Sequence, residues 1–198
     1  VAEIRELQYD TYLKALQGLV RGEFEVLPRM PSWHVRTFET NERLQQQFRV
    51  VPYAVPTTHV IQFNPRSKTL RNSELRRALA FAVDRSKVLS ETVLRDPRVL
   101  SDPEQARGRV VTAPFPRQSY AYSQQLAPRE HDAILALSLA AVAARRLGGT
   151  KVPPLKMVGS TEPIARASAE QLVKAWKRVG IDVQLVDPPK DKSTDGPA

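Results

Sequence analysis

The chain has 198 residues, 41% of them hydrophobic, and its 30 Lys and Arg against 21 Asp and Glu give a formal net charge of +9. A chain of this length buries roughly 70% of its unfolded surface, so it forms a core without covalent staples. It has no cysteine, which excludes disulfides, thiol nucleophiles and thiolate metal sites. Because basic and acidic residues are interspersed rather than gathered in runs, we interpret the charge as a solvated surface, with nucleic-acid binding as the alternative.

The first thirty residues predict a strand, a helix and a second strand. Residues 1–9 fit either a strand or a first helical turn. Asp10 is predicted to cap a helix that ends at Gly22, where a left-handed residue costs little. Residues 24–27 then suit a short strand, and a strand, helix and parallel strand form the basic unit of an α/β sheet.

The next segment predicts a second helix and two more strands. Ser32 is predicted to cap a helix over 33–47, followed by a strand at 48–51 and another at 58–64. Pro52 and Pro56 remove backbone donors, so the link between Pro52 and Thr58 is predicted to be a sheet edge or an irregular crossing. Such crossings often border a cleft.

The central part of the chain predicts helices that pack into a core. A helix from Ser73 to Val83 has one apolar face, and Asp84 can cap a following helix that runs through Val93. Residues 96–116 are predicted to be a loop. Residues 130–147 are rich in Ala and Leu, which favours a helix.

A second strand, helix and strand follow. The strands are predicted at 155–158 and 181–185, and the helix between them is capped by Ser160 or Thr161. Residues 187–198 are polar and rich in Pro, Asp and Lys, which predicts a tail or linker.

No motif in the sequence indicates catalysis. The three histidines, His34, His59 and His131, have no second ligand at a metal-binding spacing. There is no phosphate-binding glycine loop and no nucleophile elbow. Phe63 and Trp176 lie on apolar stripes, so we expect them in the core. We therefore expect no enzyme activity, no metal and no cofactor.

Several segments resemble a known family. Residues 59–64, His-Val-Ile-Gln-Phe-Asn, and 72–85, Asn-Ser-Glu-Leu-Arg-Arg-Ala-Leu-Ala-Phe-Ala-Val-Asp-Arg, are similar to a segment of the family 5 solute-binding proteins, the oligopeptide, dipeptide and nickel receptors of ABC importers. Glu25 stands where the family usually has Asp. Further similar segments follow the family's order, at 16–27, 110–116, 131–149 and 155–186.

The resemblance implies an α/β fold, with a mixed sheet flanked by helices, that forms one lobe of a two-lobed periplasmic binding protein of type II-like architecture. Residues 1–186 would be most of the second lobe. The chain opens on Val1 without a signal-peptide pattern, so we expect a processed or excised piece whose first lobe precedes it. Further ligand contacts are expected after residue 186.

The resemblance also implies a function. Such receptors capture a peptide or similar small polar ligand by closure of two lobes, without catalysis, and deliver it to ABC permease membrane subunits. The location would be periplasmic or extracellular, with a lipoprotein anchor as one option. In this chain the ligand-binding residues are predicted in the irregular crossing, at Tyr53, Thr57, Thr58 and His59.

Two alternatives remain from the residues alone. One is the ligand-sensing lobe of an intracellular regulator or a basic nucleic-acid-binding protein, whose affinity for nucleic acid would fall steeply with salt. The other, weaker alternative is a hydrolase.

Overall fold

Helices make up most of the regular structure of the protein. The computed structural model describes residues 3–51, 58–102, 106, 108–115, 119–123, 125–126 and 129–189. The chain divides into two units, Val1–Val51 and Pro52–Ala198.

The first unit contains three helices, α1 (Tyr12–Arg21), α2 (Ser32–Thr40) and α3 (Glu42–Gln47). The cap of α1 is Thr11, whose side chain accepts the N–H of Lys14 at 3.3 Å. Asp10, the predicted cap, instead pairs with the ammonium of Lys14 at 2.8 Å. Helix α1 ends as predicted at Gly22, which has a left-handed φ of 77°.

A break at Asn41 divides the single helix predicted over 33–47. The backbone of Asn41 is extended, and its N–H donates to Thr37, which ends α2. Its side chain accepts the N–H of Leu44 at 3.2 Å, which starts α3. An Asn side chain competes with helical hydrogen bonds in this way, so one residue closes one helix and opens the next. Helix α2 begins at Ser32 itself, after Pro31.

The strands predicted at 24–27 and 48–51 are wrong, and residues 3–9 form neither of the alternatives predicted for them, a strand or a first helical turn. Residues 3–9, 24–27 and 48–51 have no strand structure, and no two of these segments pair in a ladder. Ring contacts stabilise the segments instead: Tyr9 lies 5.6 Å from Phe24 and Phe38 lies 5.5 Å from Phe48, between ring centroids. A strand-like sequence without a hydrogen-bonding partner does not form a strand.

The second unit has five helices and two strands among its described residues. They are α4 (Ser73–Phe81), α5 (Arg85–Val88), α6 (Arg98–Ser101), α7 (Ala133–Arg146), β1 (Leu155–Val158), α8 (Pro163–Arg178) and β2 (Val183–Val186). Asp84 caps α5 as predicted, by accepting the N–H of Lys87 at 2.9 Å. After α5 the chain continues as one π-helical turn, Leu89–Val93. Helix α6 lies within the stretch predicted to be a loop.

Strands β1 and β2 pair in parallel, with Leu155 opposite Val183 and Val158 opposite Val186. Helix α8 connects them, which confirms the second predicted strand, helix and strand unit. Its cap is Glu162 rather than Ser160 or Thr161, and the Glu162 carboxylate accepts the N–H groups of two residues in the first turn. In the part of the chain that the structure describes, this pair is the whole sheet.

The predicted lobe of residues 1–186 and the predicted tail stay predictions. Residues 187–189 have no regular structure, and residues 190–198 lie outside the described part.

The core of the second unit forms where α4, α7 and α8 meet the sheet. Helix α7 contributes small buried residues, which let α4 approach closely, and α8 contributes Trp176. Leu75 and Ile181 are the largest side chains with no exposed surface among the described residues. Phe63 packs on the edge of this core. The core positions predicted for Phe63 and Trp176 are confirmed.

One hydrogen bond joins two distant parts of this core. The indole N–H of Trp176 donates to the backbone carbonyl of Leu79 at 2.9 Å, and both groups are buried. Helix α4 ends at Phe81, so the carbonyls of its last turn lack helical partners. Trp176 supplies one of the missing donors.

In the first unit, the Tyr12 side chain packs against His34 with a ring centroid distance of 5.3 Å. Its hydroxyl oxygen is buried and has no hydrogen-bond partner within the described residues. Burial raises the pKa of Tyr12 to about 12. A buried hydroxyl without a partner lowers stability, because it has lost its hydrogen bonds to water.

We expect Trp176→Phe to lower the free energy of unfolding by about 2–3 kcal/mol, because it leaves a cavity and an unsatisfied carbonyl. Urea unfolding monitored by circular dichroism measures this loss. A loss of less than about 1 kcal/mol would show that the indole hydrogen bond of Trp176 contributes little to stability.

We expect Tyr12→Phe to stabilise the protein by about 1 kcal/mol, because it removes the unsatisfied hydroxyl. Tyr9→Phe is the control and should destabilise, since the Tyr9 hydroxyl donates to Glu23 at 2.6 Å. Above pH 10 the unfolded Tyr12 loses its proton before the folded one, so the stability of the wild type falls as pH rises toward 12. The free energy of unfolding of Tyr12→Phe, relative to the wild type, should therefore grow between pH 10 and 12, as measured by urea unfolding. A difference that shrinks over this range would contradict the raised pKa of Tyr12.

Candidate functional site

Two of the four predicted ligand-binding residues lie in the described part of the chain. Thr58 is partly buried and His59 is exposed, on a segment without regular structure. Tyr53 and Thr57 lie outside the described residues. Whether the four side chains meet at one site stays a prediction.

The strand predicted over residues 58–64 is wrong. In the described part of the chain β1 and β2 pair only with each other, so this segment has no ladder partner. Its β-branched side chains remain open to solvent, with 62% of Val60 and 41% of Ile61 exposed. The segment is therefore an extended surface stretch, which we call the 58–62 segment.

The end of this segment is firmly anchored. Phe63 packs on the core, and the side chain of Asn64 accepts the N–H of Arg66 at 2.9 Å. The backbone carbonyl of Asn64 also accepts the N–H of Ser67 at 3.2 Å. Asn72 then caps α4 by accepting the N–H of Leu75 at 2.9 Å. Thr58 and His59 therefore lie only a few residues before Phe63 and Asn64, whose positions are fixed on the core.

The carboxyl ends of β1 and β2 carry a second group of polar residues. Ligands of α/β proteins often bind at such strand ends, next to a helix N-terminus. Here the N-terminus of α8 is occupied by the Glu162 carboxylate. Arg166, on the first turn of α8, makes salt bridges to Asp187 and to Glu170. These groups satisfy one another, so the strand ends are a structural polar cluster.

Arg85 is a residue whose role the sequence did not indicate. Its guanidinium is partly buried and donates to the carbonyl of Arg129 at 2.6 Å and to that of Ala80 at 3.5 Å. Burial, and to a smaller degree the charge of Arg129, lowers the pKa of Arg85. No carboxylate of the described residues forms a salt bridge with it. The N–H of Asp132 donates to Phe81 nearby at 3.0 Å, so this corner ties the end of α4 to the start of α7.

The described residues offer few groups for metal chemistry. No cluster of three or more His, Cys, Asp or Glu side chains occurs among them. His34 stacks on Tyr12, and His131 is exposed just before α7. Of the helices that the structure describes, none combines the length and hydropathy needed to cross a bilayer.

The fold is shared with solved substrate-binding proteins. The ABC transporter substrate-binding protein CtaP from Listeria monocytogenes superposes with a TM-score of 0.65 at 15% identity, over 91% of this chain and 33% of its own. NikZ from Campylobacter jejuni, solved in complex with Ni(L-His), superposes with a TM-score of 0.60 at 19% identity, over 91% of this chain and 35% of its own. The chain thus spans about a third of the length of each.

The OppAIV oligopeptide-binding protein from Borrelia burgdorferi is 32% identical over 63% of this chain and 23% of its own, with a TM-score of only 0.45. No curated protein matches the chain. The model of the bacterial extracellular solute-binding proteins, family 5, middle region, matches residues 3–196. The chain therefore belongs to this family.

Family membership confirms the predicted family and the α/β fold of a binding-protein lobe. It also confirms the predicted class, since the family consists of solute-binding receptors rather than enzymes.

We expect Arg85→Met to lower the free energy of unfolding by about 1 kcal/mol, because the carbonyls of Ala80 and Arg129 lose their charged donor. Arg77→Met is the control: Arg77 is exposed on α4, and its loss should change stability by less than about 0.5 kcal/mol. Urea unfolding compares the two. If both variants unfold at the same urea concentration, Arg85 does not stabilise the corner between α4 and α7.

Proposed function

We propose that the protein is the solute-binding component of an ABC importer and captures a peptide or a similar small polar ligand without catalysis. The observation that carries this proposal is the match of the family model to residues 3–196. The family description places such receptors outside the cytoplasmic membrane, and we propose that location here. In the full-length protein the receptor would deliver its ligand to permease subunits in the membrane.

The ligand would lie against the segment that contains Tyr53, Thr57, Thr58 and His59. Two properties of the described part support this position. Residues 59–62 are exposed and Thr58 is partly buried, and the end of the segment is anchored on the core through Phe63 and Asn64. A binding residue needs both properties, because the ligand must reach the side chain and a rigid scaffold must position it.

The class of ligand follows from the receptor chemistry. Peptides are held through main-chain hydrogen bonds and through charged groups at their termini. Hydroxyl and imidazole groups such as those of Thr58 and His59 suit this task. The net charge of +9 favours ligands that carry a carboxylate. NikZ, with its Ni(L-His) ligand, makes a metal chelate of an amino acid the second ligand class to test.

The competing function is a ligand-sensing lobe of a regulator or a basic protein that binds nucleic acid. The observation that favours it is again the net charge of +9. Nucleic-acid binding through this charge would weaken steeply as salt increases. Capture of a small ligand with one or two charged groups would weaken far less, because few charges are neutralised on binding.

We expect His59→Ala to weaken ligand binding about tenfold in the full-length protein, which corresponds to the loss of about 1.4 kcal/mol. Thermal-shift screening of dipeptides, oligopeptides and Ni(L-His) selects the ligand, and calorimetry measures its dissociation constant. His131→Ala is the matched control, because His131 is also exposed but lies just before α7. Equal affinities of the two variants would show that His59 is not part of the binding site. If none of the solutes binds, the proposed function is wrong.

A further inference from the structure

The outer face of α7 is apolar and exposed. Ile134 and Leu137 are 81% and 55% exposed. The opposite face is buried in the core through Ala136, Ala140, Ala143 and Ala144. The charged residues of α7 are confined to its last turn, at Arg145 and Arg146. Large apolar side chains exposed together on one side of a helix mark a candidate interaction surface.

This face continues into a shallow groove of about 560 Å³. Leu137 and Ala141 form one wall, and the chain around Val152 and from Lys177 to Asp182 forms the rest. Ile134, Leu137 and Ala141 follow one another at spacings of three and four residues, so they lie on one side of the helix. The exposed stripe and the groove are therefore one continuous surface, which we call the α7 groove.

The α7 groove has a basic rim. Lys151 and Lys177 line it, and both are exposed. Neither ammonium takes part in a salt bridge within the described residues. Asp182 supplies the one carboxylate among the lining residues. Apolar walls with free positive charges at the edge favour an occupant that is apolar in the middle and acidic at its flanks.

We propose that the α7 groove binds a polypeptide segment of a partner protein, with apolar side chains flanked by Asp or Glu. This interaction goes beyond solute capture and does not depend on the residues near His59. The concave shape suits the protruding side chains of a helix better than a flat lipid surface. Two copies of this chain would bring their basic rims together, and the net charge of +9 opposes that contact.

Two synthetic helical peptides with the same leucine stripe test the proposal. One has Glu at the flanking positions and the other has Lys, and fluorescence anisotropy measures the binding of each to the full-length protein. If another part of the same chain covers the groove, neither peptide will bind, and the proposal fails. We expect the Glu peptide to bind at least about tenfold more tightly than the Lys peptide, and its affinity to fall as salt increases. The double variant Lys151→Glu with Lys177→Glu should reverse this preference.

Two further variants separate the groove from general effects. Lys156→Glu with Lys174→Glu makes the same change in net charge at exposed positions outside the groove, and the preference for the Glu peptide should remain. Leu137→Ser should weaken both peptides, because it removes an apolar wall while changing a side chain that is already 55% exposed. Circular dichroism checks that every variant is folded.

Several results would overturn the proposal. Equal binding of the two peptides, or equal effects of the two double variants, would show that the groove does not distinguish acidic from basic peptides. Self-association through Leu137 in sedimentation experiments would assign the surface to a second copy. Flotation with anionic vesicles that is lost in Leu137→Ser, without peptide binding, would assign it to a membrane surface.

Discussion

The hydrogen bond from the indole of Trp176 to the carbonyl of Leu79 links the main elements of the second unit. Trp176 lies on α8, which connects β1 to β2, and Leu79 lies on α4, which packs against α7. Buried polar groups need partners, and this donor and acceptor have each other. The ion pair between Glu74 and Arg146 also joins α4 to α7, at 2.6 Å, but solvent screens it because Arg146 is 61% exposed.

The rest of the unit takes its position from this core. Phe63 and Leu70 pack against it and hold the turn that follows the 58–62 segment, while Arg85 fixes the chain just before α7. A receptor needs such an arrangement, with a rigid frame and a few accessible polar groups at its edge. The core does not need the apolar outer face of α7, so this face is a candidate for contact with another molecule.

The sequence predicted α4, the start of α5, α7 and the β1, α8 and β2 succession, because caps and apolar periodicity are local signals, but it missed α6, which was predicted to be a loop. Asp84 and Gly22 act as their residue types indicate. The strands at 24–27, 48–51 and 58–64 were predicted from the same kind of pattern, but a strand also needs a partner, which local sequence does not reveal. The role of Arg85 and the shape of the α7 groove depend on contacts between distant segments, so no local pattern indicated them.

Native mass spectrometry of the full-length protein, purified under mild conditions, tests the central claim of solute capture most directly. If the protein is a receptor of this family, a fraction should carry a small molecule that is released on denaturation, with a mass in the range of peptides or amino-acid chelates. A protein that never carries or gains a small solute when peptides are added would contradict solute capture. A protein that carries nucleic acid would favour the nucleic-acid-binding alternative.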